Sequence, residues 1–170
     1  MPQIHRFSLV YDADQDRIGW DTEDVGGRTM RLWLTQRLSK GLVNAIVPLL
    51  TPQTPHDVAA PHAATLQSWE QAAAMADFGK VPSVQTSGEP SSALINSMQI
   101  QPTEDGLNLS LDYRGPEPLT ISLASAAVRQ TLTVIYRLYL AAGWAMDIWP
   151  AWITDPETTA PAAAPKAAIN

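Results

Sequence analysis

Hydrophobic and polar residues alternate from the first positions of the chain. His5, Phe7, Leu9 and Tyr11 fall on one side, and Ile4, Arg6, Ser8 and Val10 on the other, which is the period of a β-strand. Ile18 and Trp20 mark a short second strand. Glu23-Asp24-Val25-Gly26-Gly27 then turns the chain into a third, where Met30, Leu32 and Leu34 alternate with Arg31 and Trp33. After Thr35, a residue suited to capping a helix, the period lengthens. Leu38, Leu42, Ile46 and Leu49 recur at helical spacing, with Pro48 expected to end or kink the helix.

Proline and threonine dominate residues 51 to 62, a connector. A helix over about 62–78 is expected next. It places Leu66, Trp69, Ala73 and Ala76 on one face, with Gly79 as its stop. Lys80 to Ser92 reads as loop, and then the opening order returns. Asn96, Met98 and Ile100 begin a strand, and Glu104-Asp105-Gly106 carries a hairpin signal. Leu107, Leu109, Leu111 and Tyr113 alternate with Asn108, Ser110 and Asp112. Arg114-Gly115-Pro116 turns the chain into Leu119, Ile121 and Leu123. Ser125 is a candidate cap for a helix bearing Val128, Leu132, Ile135 and Tyr139, with Gly143 near its end.

This order predicts an α+β fold of two βββα units, with antiparallel strands and helices packed on one side. The first unit covers 1–50 and the second, with a Trp-rich segment, 93–154. A linker over 51–92 carries the middle helix, and the Ala/Pro tail over 155–170 is expected to be disordered for want of anything to bury. Shared order without shared residues makes the repeat one of pattern.

Composition narrows the function classes. The 170-residue chain carries a net charge of -6, the wrong sign for a protein whose main task is gripping phosphates, so nucleic acid is a disfavoured partner. The absence of cysteine removes disulfides, thiolate zinc sites and a cysteine nucleophile, and fits a reducing cytoplasm. The opening Met-Pro-Gln-Ile-His-Arg-Phe-Ser lacks a basic stretch followed by an apolar run, so no secretory signal is expected. Arg129 and Arg137 interrupt the most apolar helix, so no membrane span is expected either.

Residues 11 to 23 come close to the ligand order of an EF-hand loop. Asp12, Asp14, Asp16 and Glu23 occupy donor positions, but Arg17 stands where the sharp turn wants glycine. The flank before them alternates as a strand. A solvated hairpin turn is the favoured reading, with a weak cation site the alternative. His5, His56 and His62 match no metal-ligand spacing, and no nucleophile elbow, P-loop or dinucleotide fingerprint is present. No cofactor is called for. The sequence makes no positive case for an enzyme, leaving open a site assembled only in three dimensions.

Two clusters remain. Arg28, Arg31, Arg37 and Lys40 surround Trp33, and sheets bearing arginine and aromatics can stack bases. In outline the two units resemble the single-strand-binding sheets of the PUR-alpha and whirly proteins, whose repeats carry an additional strand. That resemblance implies single-stranded nucleic-acid binding through a sheet face. The second cluster runs from Gly143 to Ile153 and holds three of the six tryptophans. It either folds back over the core or offers Trp144, Trp149, Trp152 and Ile153 to a partner. The leading expectation is a non-catalytic accessory protein acting on another protein or on itself.

Overall fold

The computed structural model describes residues 2–50, 60–76, 84 and 91–154. Strands β1 (Ile4–Asp12), β2 (Arg17–Asp24) and β3 (Thr29–Leu34) form an antiparallel meander leading into helix α1 (Gln36–Leu50). One detail departs from simple alternation. A register shift between Ile4 and Arg6 leaves His5 exposed and returns Ile4 to the core, against which Phe7, Leu9 and Tyr11 also pack. Thr35 does cap α1, accepting the Leu38 N–H at 3.3 Å. Pro48 does not end the helix, which continues to Leu50. Its buried stripe is Ser39, Leu42, Val43 and Ile46, while Leu49 is left exposed.

Helix α2 (Ala60–Ala76) is followed by β4 (Ser91–Leu94), β5 (Ser97–Thr103), β6 (Gly106–Asp112) and β7 (Leu119–Ala124). Helices α3 (Ser125–Ala142) and the single turn α4 (Ala151–Thr154) complete the described chain. The fold is α+β, as the pattern predicts, with one strand more. β4 straddles the boundary between the stretch read as a linker and the second unit, two residues on each side. It pairs with β3 in parallel, so the first sheet is mixed, in the order β1-β2-β3-β4. A parallel neighbour follows from topology: the chain leaves the end of β3 and re-enters the sheet beside its start, Ser91 opposite Met30. β5, β6 and β7 form the second, antiparallel sheet.

The two sheets border each other twice. Only Ile95 and Asn96 separate β4 from β5. The Ile95 N–H donates to Trp33 O at 3.0 Å and the Asn96 N–H to Asp112 O at 2.7 Å, so one passage of chain belongs to both sheets. At the other border a bridge joins Gln3 to Thr120, whose N–H donates to Pro2 O at 3.2 Å. The inward residues of both sheets and of α1 and α3 make one continuous core. Within it the Ser39 and Tyr139 hydroxyls meet at 2.8 Å and tie α1 to α3.

Two caps differ from expectation. The residue capping α3 is Ala124, with no side-chain bond, and Ser125 instead donates its hydroxyl to Asp105 O at 3.0 Å. Gly143 ends α3 in the left-handed region at φ 66°, where glycine pays no Cβ penalty. Gly106 is required for a different reason: a Cβ there would lie 2.0 Å from Leu123 O. The middle helix spans 60–76, two residues earlier than expected at each end. The tail 155–170, residues 51–59 with His56, and residues 77–90 apart from Val84 lie outside the described residues. Among those described, no helix is long and apolar enough to cross a membrane.

Candidate protein-interaction site

The acidic stretch is the β1–β2 hairpin turn. Asp12 Oδ1 accepts the Gln15 N–H at 2.9 Å, and Asp16 adopts φ 46°. Asp16 Oδ1 also accepts the Tyr11 hydroxyl at 2.7 Å and the Trp144 indole N–H at 2.9 Å. These bonds hold the Asp16 carboxyl below its ordinary pKa, Tyr11 contributing most. Glu23 is not brought to this group. It stands at the far end of β2, about 20 Å along the strand from Arg17, paired with Arg6 at 2.6 Å. Among the described residues no three His, Asp or Glu side chains gather as a metal-ligand set.

The basic residues are strung out. Arg28 is exposed before β3 and Arg37 is exposed after it, separated by the length of the strand. Lys40 pairs with Asp147 at 3.2 Å. Arg31 is committed to Asp21, its Nε and Nη2 donating to the two carboxylate oxygens at 2.6 and 2.8 Å. Its guanidinium also lies over the Trp33 ring, 5.4 Å from the centroid. Trp33 belongs to an outward row in register across four strands, Val10–Gly19–Trp33–Leu94. The aromatic–arginine pair expected of a stacking face is present, but a buried carboxylate neutralises its charge.

The Trp-rich segment folds back over the core. Trp144, Trp149, Trp152 and Ile153 are all buried. Their side chains face this chain, the fold-back alternative of the two the sequence left open. Trp144 packs edge-on against Tyr11 and Tyr139, and Trp149 against Tyr136 and Tyr139. Trp152 receives the Arg129 guanidinium at 5.1 Å from its ring. The Trp144 N–H finds a carboxylate, while the buried Trp149 Nε1 has no hydrogen-bond partner among the described residues.

The surface that remains open is on α2, and it reverses the usual logic of an amphipathic helix. Its buried side carries two glutamines: Gln67 and Gln71 are buried with Ala74 and Met75. Its apolar side faces outward, with Trp69 70% exposed, Leu66 46% exposed, and Ala73 and Ala76 exposed beside them. At 100° per residue the two sets lie on opposite sides of the helix.

The cause is Arg129 on α3, only 4% exposed. Its Nη2 donates to Gln67 Oε1 at 2.8 Å and pairs with Glu70. Burial pulls the guanidinium pKa down and Glu70 opposes that shift. Gln71 Nε2 adds a 2.6 Å bond to Thr133 Oγ1, and Gln130 Nε2 one of 2.7 Å to Ala74 O. Stripping partners from a buried charge costs about 3–5 kcal/mol. Leaving most of an indole in water forgoes about 3–4 kcal/mol at 25 cal/mol per Å². The two are comparable, and contacts of α2 with α4 add to the inward-polar arrangement. The exposed apolar face is what remains.

Beside that face is a cavity of about 430 Å³, formed by Leu49 and Leu50 of α1, Glu70, Ala73 and Ala74 of α2, and Ser125, Ala126 and Arg129 of α3. Leu49 is 48% exposed at its mouth. A second hollow of about 480 Å³ lies on the outer face of the second sheet, where Gln3, Gln99, Gln101, Asn108, Ser110, Thr120 and Ser122 leave it polar and uncharged. Among the described residues, neither cavity brings together two carboxylates or a histidine.

The sequence pattern placed Leu66, Trp69, Ala73 and Ala76 on one face of α2 without saying which way that face turns. A usable signal was there: glutamines at i and i+4 on one helix, Gln67 and Gln71, and Arg129 with Thr133 at i and i+4 on the apolar stripe side of another. No family model, no curated protein and no solved structure matches the chain.

Proposed function

We propose that the protein is a non-catalytic accessory protein that works by binding protein through the outward face of α2. One observation carries the reading: a 70% exposed tryptophan on a helix whose polar face is turned inward. Large apolar side chains exposed together are what interface cores are made of, and tryptophan leads among interface anchors. The contact residues on this reading are Trp69, Leu66, Ala73 and Leu49. The cytoplasm is the proposed setting, a reading motivated by the cysteine-free sequence.

The test is recovery of tagged protein from its source cell beside a Leu66→Ala/Trp69→Ala version. A stoichiometric partner, a further copy of the chain included, should be held by the first and lost by the second. If both versions hold the same proteins, the α2 face is not the binding surface.

A second reading, single-strand binding by the outer face of the first sheet, is favoured by the stacked Arg31–Trp33 pair. Trp33→Ala is its proper probe, because Arg31→Ala also strands Asp21. Labelled oligonucleotide that is not retained at low salt excludes this reading.

A further inference from the structure

The α2 face carries both halves of a contact. Trp69 protrudes, and one helical turn further on Ala73 opens into the cavity walled by Leu49, Leu50 and Ala126. Resting on the binding role proposed above, we infer that the occupant of this face is a second copy of the same chain. The two copies meet about a two-fold axis, each placing its Trp69 in the other's Ala73 cavity.

Three observations on the molecule favour this occupant. The hollow is of a size to take an indole, since ordinary small-molecule sites begin at about 300 Å³ and this one holds about 430 Å³. Knob and hole lie a single turn apart on one helix. Two α2 helices crossing about an axis between those positions therefore satisfy both contacts at once, as a self-complementary interface requires. The polar chemistry fits as well. Glu70 lines the hollow with its side chain 46% exposed, leaving carboxylate surface to accept an incoming indole N–H. The face is short, a helix of 17 residues, or about 25 Å. Its area falls below the roughly 800 Å² per partner of a standard interface, so dissociation in the micromolar range is expected.

The experiment is sedimentation velocity of the full chain from low to high micromolar concentration, on three proteins. Trp69→Ala removes the knob and keeps the hole. Ala73→Glu fills the hole and keeps the knob. Both positions are exposed, so both variants should fold with unchanged circular dichroism. The wild type should pass from monomer to dimer, and each variant alone should dissociate at least about thirtyfold more readily, as befits a hot spot. An equimolar mixture of the two variants should regain part of the dimer, because the pair retains one intact knob and hole. A wild type that is monomeric throughout overturns the inference, as does a dimer indifferent to both substitutions or a mixture no better than its components. A monomeric wild type that still holds a different protein through Trp69 would sink only the self-association. A wild type that holds no Trp69-dependent partner of any kind, itself included, would sink the binding role.

Discussion

Arg31 and Asp21 meet through a planar two-bond fork in which the carboxylate is only 5% exposed. A pair like this contributes little net stability, but breaking it leaves a buried charge unmatched. Arg31→Ala should therefore cost about 2–3 kcal/mol in urea unfolding, discounted for the partly exposed arginine, while Arg31→Ala/Asp21→Ala should recover part of that loss. A double variant as unstable as the sum of its singles would show that the two side chains do not act as a pair. Asp16 is a different kind of residue, exposed but holding Tyr11 and the Trp144 indole together. Its pKa in the folded chain is lowered, so its contribution is present above the ordinary carboxyl value of 3.8 and is lost as pH falls through the lower, folded value. Asp16→Asn should flatten the acid limb of the stability curve below about pH 4 and lower stability above it by an amount that does not change with pH. An unchanged acid limb would remove Asp16 from the account. Neither role was legible in sequence. Asp16 looked like a donor in a calcium loop because spacing shows which carboxylates are near in the chain, not which indole arrives from 128 residues away.

Among the elements, strands and helices were the most legible because burial on one side writes a period into the chain. Leu107, Leu109 and Leu111 alternate and are all buried, and the helical stripe of Val128, Leu132, Ile135 and Tyr139 is buried as read. β4 was missed because four residues, Ser91 to Leu94, are too short to show a period, and their pairing partner lies far back in the chain. α2 was found, yet periodicity cannot say which side of a helix faces in when a buried arginine on a neighbour competes for it. Two tryptophans measure the difference. Trp152 is buried against Arg129, and Trp152→Ala should cost about 3–5 kcal/mol, the usual loss for deleting a core aromatic. Trp69→Ala, at a concentration low enough for a monomer, should shift stability by no more than about 0.5 kcal/mol. Thermal unfolding of the two variants reads both values, and a large loss at Trp69 would mean that this indole is covered in the folded chain.

At the scale of the molecule, the two βββα units suggested by the sequence contribute to one core. α3, at the end of the second unit, packs on β1 of the first as well as on β6 and β7, and α1 reaches across to β5. The passage Ser91–Thr103 serves both sheets, and Thr120 closes the opposite border onto Pro2. Neither unit keeps its apolar side covered alone: without α3, the Leu9 and Tyr11 side of β1 faces water, and without α1, Met98 and Ile100 lose a neighbouring wall. Pattern could show the repeated order but not this exchange of helices, because a period records that a side is buried and not by which segment. The consequence is cooperativity. Urea unfolding should give one transition with the same midpoint by far-ultraviolet circular dichroism, which reports all helices, and by tryptophan emission, which draws on Trp20 and Trp33 in one unit and Trp144, Trp149 and Trp152 in the other. A fragment ending at Leu50 should be unfolded alone, since it lacks both β4 and the helix that covers β1. Two separated midpoints, or a folded 1–50 fragment, would restore the picture of two independent units and locate the core within each rather than between them.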